Sequence, residues 1–166
     1  MHIPPFDNNN KPIVDLNDKR VPLNYFNIVK LNKDQSFMYQ TPGYETCIVP
    51  ATGTIDIEIE GLEYKSLGKR TIDVWDGEPE GVYVPTNIKA TFTCKTDTSE
   101  IFVAGAKFEK TLEPFAVRSD ELDIVQYGSD DTKTHRKIKH ILGSKHHDKV
   151  GRLLCNELYT VGQGGW

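Results

Sequence analysis

Four of the five histidines fall late in the chain, at His135, His140, His146 and His147. Imidazole is the side chain best suited to bind a metal ion or move a proton near neutral pH. The neighbours of these four argue against both. His146 and His147 are adjacent, and in an extended chain they face opposite sides. Lys137, Lys139, Lys145 and Lys149 interleave with them and repel a cation, and Asp148 is the one carboxylate at ligand spacing. The segment reads as a solvated basic arm. Cys47, Cys94 and Cys155 are odd in number and widely spaced, with no Cys-x-x-Cys among them. They read as free thiols in a reducing compartment. Asp56, Glu58 and Glu60 share one face of an alternating run and read as exposed strand carboxylates. Asp120-Glu121 reads as a turn or helix-start pair. Gly162-Gln163-Gly164-Gly165 lacks the Lys or helix that a phosphate cradle needs, and no Gly-x-Ser-x-Gly elbow occurs. No catalytic, cofactor-binding or metal-ligating residue is assigned.

The elements that would have to position any site are strands. Thr54 to Glu60 alternates without a fault, placing Ile55, Ile57 and Ile59 on one face. Lys89 to Lys95 repeats the pattern with Ala90, Phe92 and Cys94 inward. Further strands are expected at 25–31, 36–41, 45–49, 63–67, 81–84, 101–108 and 122–127. Turns are expected at Asn32-Lys33-Asp34, Thr52-Gly53, Gly61, Gly68, Asp76-Gly77-Glu78-Pro79 and Gly128 to Asp131. Many short strands at regular spacing predict an all-β antiparallel sandwich or barrel. Residues 133–142 carry too few apolar positions to separate a short helix from a strand or extended arm.

The chain has 166 residues, 37% hydrophobic and 27% charged, which suits one domain with a sizeable core. Its net charge of -4 and pI near 5.7 argue against nucleic acid or an anionic membrane as partner. No stretch has the length of a spanning helix, and residues 1–5 lack the regions of a secretion signal, so a cytoplasmic location is expected. The organisation reads as a loosely packed lead-in (1–22), a barrel-like body (23–132) and a tail (133–166). In the tail, the apolar run Leu153 to Val161 leads into a Gly-rich turn and Trp166, as the first strand of a further unit would.

Thr41-Pro42-Gly43-Tyr44-Glu45-Thr46-Cys47-Ile48-Val49-Pro50-Ala51-Thr52-Gly53, closed by Ile55-Asp56-Ile57, resembles the central hairpin of a cupin barrel, and Val82 to Asn87 after Asp76-Gly77 resembles the second cupin motif. Arg136 to Leu142, followed by Arg152 to Thr160 and Gly164-Gly165-Trp166, resembles the inter-domain arm and first C-terminal strand of the 5-deoxyglucuronate isomerase family, two-cupin enzymes of inositol catabolism. Cys155-Asn156-Glu157 departs from the Gly-Glu common in that family, and the family's Pro near Val161 is absent.

The resemblance implies a cupin-like antiparallel β-barrel or jelly roll with an extended C-terminal arm. It also implies an intact protein that isomerises a deoxy uronic acid between aldose and ketose forms. In such a protein a divalent metal, Zn or Mn, lies in the C-terminal cupin and would polarise the carbonyl and hydroxyl oxygens while a base moves a proton between carbons. A cupin metal site takes two His, a Glu and a third His. Carried onto this chain, those positions hold Tyr39, Thr41, Thr46 and Ala90, and Glu45 is the nearest carboxylate. Three hydroxyls and a methyl lack the donor strength of a first-row metal site, so this barrel is expected to be metal-free, without cofactor and inactive alone. The expected partners are the C-terminal cupin of the same protein and further copies in a homo-oligomer. The expected contact surface is Arg136 to Trp166, whose apolar strand has no partner in the rest of the chain. The alternatives are a non-catalytic cupin that binds a ligand or mediates assembly, and part of a 4-deoxy uronate ketol-isomerase of pectin breakdown.

Overall fold

The computed structural model describes residues 8–129 and 131–160. His2, Asp130, Val161 and the Gly162 to Trp166 turn lie outside the described residues. Twelve strands are described, in order β1 (Asn24–Asn32), β2 (Ser36–Gln40), β3 (Tyr44–Thr52), β4 (Ile55–Ile59), β5 (Leu62–Leu67), β6 (Gly81–Val84), β7 (Lys89–Cys94), β8 (Thr98–Lys107), β9 (Phe115–Val117), β10 (Asp123–Tyr127), β11 (Arg136–Leu142) and β12 (Cys155–Thr160). Every pairing between them is antiparallel. A five-stranded sheet, β1-β8-β3-β6-β9, faces a four-stranded sheet, β2-β7-β4-β5, and together they form the all-β, cupin-like body.

The core follows the period-two pattern. Ile55, Ile57 and Ile59 from β4 and Ala90, Phe92 and Cys94 from β7 meet Tyr44, Ile48, Val82, Val84, Ile101 and Val103 from the opposite sheet. The two-residue hairpin loop Glu60-Gly61 takes positive φ at both positions (48° and 84°), the type I′ geometry that matches strand twist. Gly53 and Gly68 are required by space as well as φ. A Cβ on Gly53 would lie 2.4 Å from the Thr98 carbonyl, and one on Gly68 would lie 2.5 Å from the Gly53 carbonyl. Between them they let the Gly53 amide reach the Arg70 carbonyl at 2.8 Å, which fixes where Arg70 enters.

A third sheet, β10-β11-β12, covers the outer face of the five-stranded one. Beneath it lies a second apolar cluster of Cys47, Val49, Tyr83, Val117, Ile141, Leu142 and Leu153. The central strand β3 is therefore buried on both faces (only Thr52, its last residue, is partly open), which a period-two reading of one buried face does not foresee.

Several expectations need correcting. The strand expected over 153–161 was given no partner in the chain, but β12 pairs with β11 from Arg136↔Thr160 to Leu142↔Cys155. Within residues 133–142, where helix and strand were left open, 136–142 form the strand β11, because that pairing satisfies their backbone and buries Ile141 and Leu142. The lead-in is pinned along its described part. Val14 bridges to Phe26 and is buried, and Asn8 and Asn10 bond the buried Asn27. β9 has three residues, too few for any period to show.

Candidate functional site

Two places hold polar side chains in the interior: the core between the barrel's two sheets and the seam between barrel and arm. In the barrel core, Tyr39 on β2 stands directly across from Ala90 on β7. The Tyr39 hydroxyl and Thr46 Oγ1 from the opposite sheet are 2.7 Å apart, both buried. Three of the four positions carried over from the cupin pattern thus do meet in one place. Their chemistry is a phenol, an alcohol and a methyl. Burial pushes the Tyr39 phenol well above its ordinary pKa, so it stays neutral, and its hydrogen-bonding capacity is engaged with Thr46. Phe37 and Phe92 pack around it, with ring centroids 6.5 and 6.2 Å away. The fourth position, Thr41, donates its hydroxyl to the Tyr44 carbonyl at 3.1 Å and serves the turn into β3. These residues do not fit a first-row divalent ion, which needs imidazole, thiolate or carboxylate donors.

Glu45, the nearest carboxylate in sequence, points the other way. Tyr44 and Thr46 face the barrel core, so Glu45 between them faces the arm. It is fully buried, and four donors converge on it. Oε2 accepts the Gly151 amide at 2.8 Å and the Tyr83 hydroxyl at 2.7 Å. Oε1 accepts the Arg152 amide at 2.5 Å and the Leu153 amide at 2.7 Å. Three successive backbone N–H groups of the arm thus close on one carboxylate held by the barrel. Across the same seam, Arg70 is buried and forks onto Glu157 of β12, with Nη1 2.8 Å from Oε1 and Nη2 on Oε2. Arg70 Nη2 also donates to the Tyr159 hydroxyl at 3.0 Å, and its Nε donates to the Gly77 carbonyl at 3.1 Å. Lys139 stands 4.2 Å over the Tyr159 ring and 2.6 Å from Glu78 Oε2, so one of the expected solvated lysines is buried and paired. Trp75 meets the Tyr159 ring edge-on at 4.8 Å.

A second buried carboxylate, Glu80, ties the 66–70 segment to the end of β9. Burial alone would raise its pKa. The Gly68 and Ser119 amides, Lys69 and Arg118 outweigh that and hold it below the usual range.

The late histidines do not converge. His140 Nδ1 lies 2.7 Å from Asn156 Oδ1, and His147 Nδ1 lies 2.9 Å from the Ser144 carbonyl. His146 sits in a 3₁₀ turn (Ser144–His146), not in extended chain, and stacks on Phe115 at 5.3 Å. Phe115 in turn stacks on Tyr83 at 5.3 Å. Among the described residues no group of three or more His, Cys, Asp or Glu is placed to hold a metal ion. Asp56 accepts the Ser66 amide, Glu58 the Gly61 amide and Glu121 the Arg118 amide, all turn and hairpin duties. Arg70, Glu80 and Glu157 were not singled out from the sequence. One usable signal was the alternation along β3, which sends Glu45 outward once Thr46 is placed inward.

Residues 2–166 match the KduI/IolB family. The chain belongs to that family. Among solved structures, an IolB-like protein from Salmonella typhimurium LT2 superposes with a TM-score of 0.73 at 21% identity, over 83% of this chain and 51% of that one. A putative glyoxylate-induced protein from Pseudomonas aeruginosa gives a TM-score of 0.54 at 10% identity, over 74% of this chain and 44% of that one. These likenesses support the fold. No curated protein matches the chain. This KduI/IolB member spans about half the length of the solved relatives it resembles. No helix among its described residues is long and apolar enough to cross a membrane.

Proposed function

We propose that this chain is the metal-free barrel of a two-barrel isomerase acting on a deoxy uronic acid of the 5-deoxyglucuronate class, in inositol catabolism. The aldose–ketose chemistry of the intact protein belongs to a second barrel, and the role of this one is to pack against that partner and cover its site. The observation that carries the reading is the Tyr39–Thr46 hydrogen bond beside Ala90, which fills with neutral groups the place where a cupin presents its metal ligands. Family membership supports an isomerase relative, and the half-length match to the Salmonella protein supports a partner barrel. The arm is the natural contact: β12 is an edge strand, and Leu154 and Leu158 remain exposed on it or beside it.

The test is a coupled isomerase assay of the 166-residue chain with 5-deoxyglucuronate and, separately, a 4-deoxy-5-keto uronate, each with and without Mn²⁺. The reading expects no turnover with either substrate. It expects activity when the chain is joined to a second cupin carrying a His-rich metal site. Metal-dependent turnover by the chain alone overturns it.

A further inference from the structure

The Glu45 clamp sets a register between barrel and arm that brings two thiols together. Glu45 holds the Leu153 amide, and two residues further along the same face of β3 stands Cys47. Two residues beyond Leu153, at the start of β12, stands Cys155. With matched steps along the two segments, Cys155 packs against the same buried cluster that contains Cys47, which brings the two thiols into one neighbourhood. We propose that Cys47 and Cys155 form a reversible disulfide that staples the arm strand β12 to the barrel strand β3 when the chain meets a small-molecule disulfide.

The two sulfurs differ in access, which sets the order of steps. Cys47 is fully buried, while Cys155 is partly open to solvent. The neighbouring Cys155 thiol and burial together push the Cys47 thiol well above its ordinary pKa, so it stays protonated and does not react first. The Cys155 thiolate attacks one sulfur of oxidised glutathione and releases one glutathione thiolate. Cys47, losing its proton to that thiolate or to solvent, then attacks the Cys155 sulfur and expels the second glutathione. Two protein thiols and one oxidised glutathione become one protein disulfide and two glutathione thiols. Cys94 is a built-in control: it lies in the other core, with its thiol on the Thr96 carbonyl at 3.1 Å.

The consequence is mechanical. The arm is held non-covalently by Glu45 and Arg70, and the disulfide would make that attachment permanent until reduced. The inference does not depend on the proposed isomerase role, because its readouts are thiol state and arm stability.

The experiment incubates the full chain in graded ratios of oxidised to reduced glutathione, blocks free thiols by alkylation, and maps peptides without reduction. The expected result is a Cys47–Cys155 linked peptide that rises with the ratio while Cys94 stays alkylatable on unfolding. The oxidised chain should melt higher by on the order of 10 °C, since the bridge closes a loop of about a hundred residues. Hydrogen exchange over β12 should slow, and dithiothreitol should reverse both effects. Cys155→Ser, at a partly open site, should fold normally and abolish the link and the shift, and Cys94→Ser should retain the link. Stable glutathione on Cys155 with no link to Cys47, links through Cys94, or an oxidised chain that melts no higher would each overturn the proposal.

Discussion

Replacing Glu45 by Gln changes one oxygen to an NH₂ at the point where barrel and arm are joined. The carboxylate receives four donors and has no exposed surface, so water cannot repair a mismatch. The best amide orientation keeps the oxygen on the Arg152 and Leu153 amides and turns the NH₂ toward Tyr83 and Gly151. Tyr83 can rotate its hydroxyl to accept, but the Gly151 N–H then faces another donor. One buried N–H is left unpaired, at about 1–3 kcal/mol, and two bonds lose charge assistance, at about 1 kcal/mol each. Removing the charge gives some relief from desolvation, but four donors already solvate it in place. The net loss is about 3 kcal/mol, equivalent to roughly 6–12 °C for a chain of this size. Urea unfolding should read this loss. Hydrogen exchange should show the amides of residues 151–153 losing about a hundredfold of protection, because the arm opens before the barrel does. Tyr83→Phe, which removes one donor and leaves three, should cost about 1 kcal/mol. A Glu45→Gln chain within about 0.5 kcal/mol of the wild type, with unchanged exchange at 151–153, would show that the carboxylate does not hold the arm.

Arg70→Met should destabilise by about 3 kcal/mol in urea titrations, because Glu157 and Tyr159 lose their buried partner. Adding Glu157→Leu should recover a large part of that loss, and a purely additive double variant would contradict the coupling. The depressed Glu80 carboxyl contributes stability that is full above the ordinary glutamate pKa of about 4.3 and is lost as pH falls through its lower folded value. Unfolding midpoints from pH 7 to 3 should therefore drop less steeply in Glu80→Gln than in the wild type, and parallel curves would contradict this. His146 is shifted down, first by burial against Phe115 and then by Lys149 and Lys145, so its neutral form is the folded one. Stability should decline as pH falls below about 6.5, where the unfolded chain takes up the proton first. His146→Phe should remove that slope, and a slope that persists would assign it to another group.

The barrel was legible in the sequence where one face is buried and the period is two. Ile55, Ile57 and Ile59, and Ala90, Phe92 and Cys94, sit inward as their alternation requires. Three of the four carried-over positions were legible as well, since Tyr39, Thr46 and Ala90 meet in the core, while Thr41 serves the turn into β3. The polar seam was not. The arm partners of Arg70 lie 87 and 89 residues away and those of Glu45 lie 106–108 away, and nothing local marks a charge that a distant strand will cover. β11 was ambiguous because its burial comes from Cys47, Val49 and Tyr83 on the barrel, not from its own pattern. For the same reason Lys139 resembled its solvated neighbours until Glu78 and Tyr159 closed on it.

On the proposed function, neutral hydroxyls fill the part of the barrel core where a metalloenzyme of this fold would carry its ion. Metal analysis of the purified chain after equilibration with Mn²⁺ and Zn²⁺, paired with calorimetric titration, measures this directly. Tyr39, Thr46 and Ala90 should hold far less than one ion per chain and give no saturable heat. One tightly held ion per chain, lost on Tyr39→Phe or Thr46→Val, would contradict it.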